Sequence, residues 1–216
     1  RLADSFSRKV RRIFCELNPA PKDGAFSKDR IRTASEWETP AGGVVRSVGV
    51  GAGIAGFGAG LIVIDDPVRN RSDAESVVYR RRVWEWFNDD IYTRMEPDAA
   101  LILVQTRWHQ DDLAGRLLRE MADGGDKWNV VCLPALCEGE SIKDKGESKE
   151  RGAANLDSSL GPLSLTPHPS SFTWDPIGRR PGAALWPKRY PVKALLRYKR
   201  KLGSYSFSAL YQQSPS

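Results

Sequence analysis

Cysteine and histidine are scarce in this chain. Its three cysteines, Cys15, Cys132 and Cys137, form no CxxC pair, and its only histidines are His109 and His168. A Cys/His zinc site and a disulfide-framed secreted fold are both excluded as first readings, and the odd, sparse count suits a reducing cytoplasm. No apolar run approaches the ~20 residues of a membrane helix. The N-terminus, Arg1-Leu2-Ala3-Asp4, is charged and lacks the hydrophobic stretch of a secretory signal. Internal repeats are absent, and so is any GxxxxGK[ST] phosphate-gripping loop. What is present is 216 residues, 40% hydrophobic and 28% charged, enough for one α/β domain with a real core. The net charge of +6 suits a polyanionic partner, and equally a mildly basic globular protein.

Helical spacing runs from Asp4 to Leu17, with Phe6, Val10, Ile13, Phe14 and Leu17 as the apolar positions. Ile31–Trp37 and Val44–Val50 read as short strands around the turn Thr39-Pro40-Ala41-Gly42-Gly43. Leu61-Ile62-Val63-Ile64 is apolar on both faces, which predicts a central parallel strand covered by helices on both sides. Ser72 to Met95 reads as one long helix, with Ser72 as N-cap and Glu75 completing a capping box. Ala100–Val104 is a second buried strand. Gln110 or Asp111 opens a helix through Met121, and Trp128–Leu133 is a third strand. This order predicts a parallel sheet with right-handed crossovers. Residues 138–182 are rich in Lys, Glu, Asp, Ser, Gly and Pro and read as a polar insertion or flexible loop. A helix from Val192 to about Leu202, stopped by Gly203, and a last segment from Tyr205 to Gln213 complete the chain.

Chemistry concentrates at two strand ends. Leu61-Ile62-Val63-Ile64 stops at Asp65-Asp66-Pro67. A carboxylate at the tip of a buried strand is what a nucleotide motor uses to hold Mg²⁺, and a second one can orient the attacking water. Asp65 fits the metal role and Asp66 the catalytic one; by itself the pattern fits equally a strand ending in an Asp-Asp-Pro turn. Leu101-Ile102-Leu103-Val104 stops at Gln105-Thr106-Arg107, where such motors keep a sensor of the γ-phosphate. Thr106 is the first candidate and Gln105 the second; read alone, Thr106 is a turn residue.

Gly51-Ala52-Gly53-Ile54-Ala55-Gly56 matches GxGxxG, but a strand rather than a helix follows it, so the dinucleotide reading fails. The basic runs Arg8, Lys9, Arg11, Arg12 and Arg80, Arg81, Arg82 read first as solvated helix faces and second as phosphate contacts.

Taken in order, Gly49 to Gly56, Gly58 to Val68, Asn70 to Ser76, Val83 to Phe87, Thr106 to Leu117, Leu133-Pro134-Ala135, Ala184 to Tyr190, Leu202 to Tyr205 and Ala209 to Gln213 resemble the phage terminase large subunit family. The resemblance covers nearly the whole chain apart from the polar insertion. It implies the distal part of a P-loop NTPase-like (ASCE) α/β core, lacking the Walker A strand and loop. Residues 1–137 and 183–216 would belong to this ATPase domain, the latter leading toward a nuclease domain beyond Ser216.

By the match Asp65 is the Walker B metal-site residue and Asp66 the catalytic carboxylate. Thr106 falls in the coupling motif, with Gln105 and Arg107 beside the nucleotide. The implied cofactors are ATP and Mg²⁺. The implied partners are double-stranded DNA, a portal protein, a terminase small subunit and further copies in a ring, with no membrane. The implied place is the bacterial host cytoplasm, at the procapsid portal.

Asp66 stands where many motors carry the longer Glu, and Phe57 stands where relatives often carry a basic residue, so no arginine finger is carried over. Without a Walker A loop the 216 residues alone are expected to hydrolyse ATP poorly. The alternative is a catalytically inactive remnant that binds DNA or subunits. A nuclease reading finds no carboxylates gathered across strands.

Overall fold

The computed structural model describes residues 2–18, 33–39, 41–54, 56–137 and 175–215. It is a mixed helix-and-sheet protein with a small parallel sheet. The chain forms two compact units: residues 1–62 with 82–100, and residues 63–81 with 101–216.

The first unit holds α1 (Leu2–Leu17), the antiparallel pair β1 (Glu36–Glu38) and β2 (Val44–Arg46), and the second half of α3 (Val77–Trp86). Glu36 pairs with Arg46 in the β1–β2 register, and their side chains close a salt bridge at 2.5 Å across the ladder. Phe14 of α1 lies against the buried Trp37, ring centroids 5.7 Å apart. A π-turn over Phe87–Ile91 and a 3₁₀ turn over Tyr92–Arg94 follow α3, burying Phe87 and Ile91. Gly56 to Gly58 lead directly into β3 (Ala59–Asp65), with a strand and not a helix after the glycines.

The second unit carries α2 (Arg71–Glu75), α4 (Leu113–Ala122) and α5 (Val192–Gln212). Ala184, Leu195 and Phe207 form a buried cluster, with Tyr198 and Tyr211 packed against it. Gln212 reaches back to the chain at Leu136, accepting from its N–H at 2.9 Å and donating to its carbonyl at 3.0 Å. One side-chain amide there satisfies a backbone pair that would otherwise need a strand. Leu136 and Ala184 form an isolated antiparallel bridge.

Several elements differ from the sequence expectation. The helix expected over Ser72–Met95 is broken at Ser76, whose backbone is extended. Asn70, not Ser72, caps α2, accepting from the Asp73 N–H at 2.9 Å. Ser76 restarts the helix by accepting from Tyr79 N–H at 3.2 Å. Short polar side chains that bond the local backbone favour such breaks.

The second strand, β4 (Met95–Val104), starts five residues before the expected Ala100. The strand expected over Trp128–Leu133 is absent, since no neighbouring strand pairs with it among the described residues. The expected two-sided burial of the strands also fails: Val63 is 57% and Val104 54% exposed, while Ile64 is buried. β3 and β4 are hydrogen-bonded only to each other among the described strands. α5 continues to Gln212, but Gly203 interrupts it with φ 78 and ψ 169, a conformation in which a Cβ would be strained.

Within the polar insertion expected over 138–182, residues 138–174 lie outside the described ones. Residues 175–182 belong to the second unit. Arg179 is held by Asp175 at 2.7 Å and donates to the Pro134 carbonyl at 2.8 Å. The Gly182 N–H donates to the Cys137 carbonyl.

Candidate functional site

β3 and β4 run parallel, so their C-terminal ends share one edge of the sheet. Open α/β sheets gather ligands at that edge. The Asp66 N–H donates to the Val104 carbonyl at 2.8 Å, which extends the ladder by one bond past the end of β3. Its backbone then turns into the left-handed region at φ 50. Asp is among the few non-glycine residues that adopt it, at a cost of about 1 kcal/mol. The turn aims one carboxylate oxygen, Oδ1, at the Thr106 N–H, 3.1 Å away.

The two strand ends that the sequence singles out are thereby tied together, forty residues apart. The link uses the amide of Thr106, a contact any residue but proline could make. The Thr106 hydroxyl has no protein partner among the described residues.

Asp65, the last residue of β3, is exposed, and its side chain makes no hydrogen bond or ion pair among the described residues. Among them no group of three or more His, Cys, Asp or Glu is assembled. Mg²⁺ at a nucleotide is held by one or two carboxylates, with phosphate oxygens and water completing the shell. An uncommitted carboxylate at a strand tip fits that mode, and Asp65 is that group.

Gln105 buries both of its amide atoms, and its amide lies beside the Asp112 carboxylate, whose charged form it favours.

Arg107 pairs with Asp112, five residues on. Its Nε donates to both Asp112 oxygens, at 3.0 and 2.8 Å. Asp112 is 2% exposed and caps α4, accepting from the Gly115 N–H at 2.8 Å. Burial raises the Asp112 pKa, against the opposing pull of Arg107, the Gly115 N–H and the nearby Gln105 amide. The ion pair therefore holds the loop after β4 onto α4.

Asp111 next to it collects three arginines: Arg116 at 2.7 Å, Arg119 at 2.5 Å and, at a longer 3.4 Å, Arg80. Arg116 above all, then Arg119 and Arg80, hold its carboxyl well below the usual range, although partial burial opposes them.

Arg80 was expected on a solvated face and is instead 8% exposed, donating also to the Ala74 carbonyl at 2.6 Å. The signal was there: Arg80, Val83 and Phe87 fall at i, i+3 and i+7, on one helix face. Tyr205 of α5 makes a further tie, which the sequence did not suggest. Its hydroxyl donates to Glu75 at 2.5 Å and lies 3.4 Å from the Trp108 carbonyl. That bond lowers the Glu75 pKa and raises that of Tyr205.

Compared with known proteins, the chain matches no family model and no curated sequence. Among the described residues no helix is long and apolar enough to cross a membrane.

Proposed function

We propose that this chain is part of the ATP-hydrolysing motor of a viral terminase large subunit, which moves double-stranded DNA into a capsid. The observation that carries the reading is the joined pair of strand tips: Asp65-Asp66 at the end of β3, hydrogen-bonded to Thr106 after β4. In this reading Asp65 holds Mg²⁺, which would neutralise charge on the phosphates of ATP. Asp66 keeps one oxygen on the Thr106 amide and offers the other to orient the attacking water. Thr106, through that amide, passes a change at the carboxylate into the loop anchored by Arg107 and Asp112.

The P-loop-like core, the DNA, portal and small-subunit partners, the ring and the place at the procapsid portal in the bacterial cytoplasm all belong to this proposal. They rest on the resemblance and on the net charge of +6.

No GxxxxGK[ST] sequence occurs in these 216 residues, so the chain alone is expected to turn over ATP poorly. That same observation favours the second reading, an inactive remnant that binds DNA or subunits. The coding sequence upstream of Arg1 decides between them. A GxxxxGK[ST] motif there supports the motor, and its absence leaves the remnant.

A further inference from the structure

Residues 176–216 contain nine Lys and Arg and no Asp or Glu. The other 175 residues, with 24 basic and 27 acidic side chains, carry a net charge of −3. This last segment is thus a stretch of basic charge with no acidic side chain within it to offset it, and about half of it is α5. At about 100° per residue, Lys193, Arg197, Arg200 and Lys201 share one face of the helix. All four are exposed. Leu195 and Tyr198 lie on the other side, packed in the cluster with Ala184 and Phe207. None of the four is in an ion pair among the described residues, whereas Arg71, Arg80, Arg107, Arg116 and Arg179 all are. Spacings of three and four residues set these like charges beside one another, where they repel.

We infer that this face of α5 binds the phosphate backbone of duplex DNA without regard to sequence. The four cations span about 12 Å along the helix. Duplex DNA carries a negative charge every ~1.7 Å of its axis, so each cation meets a phosphate over that length. A membrane surface is the poorer match. An interfacial helix lays a broad apolar face into the lipid, whereas Leu195 and Phe207 of α5 are packed into the protein and only Val192, Leu196 and Leu202 are left exposed. An acidic protein is also a poorer match, because the core of a protein interface is depleted in charge. The inference rests on charge placement and needs no nucleotide, so it stands or falls apart from the ATPase reading.

The test is fluorescence anisotropy of the full chain with a labelled duplex of about 30 base pairs, from roughly 50 to 200 mM salt. The variant Lys193→Gln/Arg197→Gln/Arg200→Gln/Lys201→Gln is expected to bind at least on the order of 10²-fold more weakly at ~0.1 M salt, with the salt slope reduced by about 3 to 4. A control with the same change in charge, Arg8→Gln/Lys9→Gln/Arg12→Gln/Lys127→Gln, should stay within about threefold of wild type. The charge-keeping set Lys193→Arg/Arg197→Lys/Arg200→Lys/Lys201→Arg should retain binding, which separates charge from fold. Equal losses in the α5 variant and the control would overturn the inference, as would wild-type binding by the α5 variant. So would tighter binding to phosphatidylserine vesicles than to the duplex at the same salt, abolished by the α5 variant.

Discussion

Two Asp-Asp pairs follow the two strands of the parallel sheet, and the structure treats them in opposite ways. Asp111 and Asp112 are wrapped: three arginines reach the first, and Arg107 with a helix N-terminus holds the second. Asp65 and Asp66 stand in the open, and among the described residues the Thr106 amide is the one hydrogen-bond partner of their side chains. The chemistry is the same and the surroundings differ. Carboxylates neutralised by neighbouring cations hold the fold together, while carboxylates left unneutralised at a strand tip remain available to a cation from outside. Charge compensation, more than the Asp-Asp motif, separates the carboxylates tied into the fold from those left open here.

The sharpest break in that comparison comes from Arg107→Ala. It leaves the Asp112 carboxylate buried without its cation, and the expected loss is about 3–5 kcal/mol in urea unfolding. Arg80→Met is expected to cost about 1–3 kcal/mol, because the Ala74 carbonyl loses its buried donor and Asp111 its third arginine.

Acid separates the pairs further. The folded pKa of Asp111 lies below its unfolded value, so its contribution is complete above pH ~4 and is lost as the pH falls below that. The folded pKa of Asp112 is raised, so its proton uptake favours the folded state at low pH and partly offsets the loss. Asp111→Asn should flatten the acid limb of a stability–pH curve, and Asp112→Asn should not. The smallest effect belongs to Asp65→Asn, whose side chain has no hydrogen bond or ion pair to lose among the described residues and which should change unfolding stability by less than ~0.5 kcal/mol. A large drop would place Asp65 with the wrapped pair.

Much of this was legible in the chain because the signals are local. The amphipathic period of α1, the Thr39–Gly43 turn between β1 and β2, and the apolar run that stops at Asp65-Asp66 each depend on neighbouring residues alone. The meeting of Asp66 with Thr106 followed from two apolar runs ending in polar residues with a helix between them.

What was not legible depends on distant partners. Trp128–Leu133 has strand composition, yet a strand exists only where another strand bonds to it. The ion pair of Arg107 with the buried Asp112, five residues on, was not legible either. Ser72 and Asn70 are both competent caps, and the backbone angle at Asn70 decided between them.

The central claim is that Asp65 is a nucleotide-metal carboxylate, and Mg²⁺-dependent ATP turnover tests it most directly. The protein would be extended upstream through any GxxxxGK[ST] loop that precedes Arg1. Asp65→Asn should then lower turnover by on the order of 10²-fold or more, with unchanged urea unfolding. Turnover that survives Asp65→Asn would contradict the account.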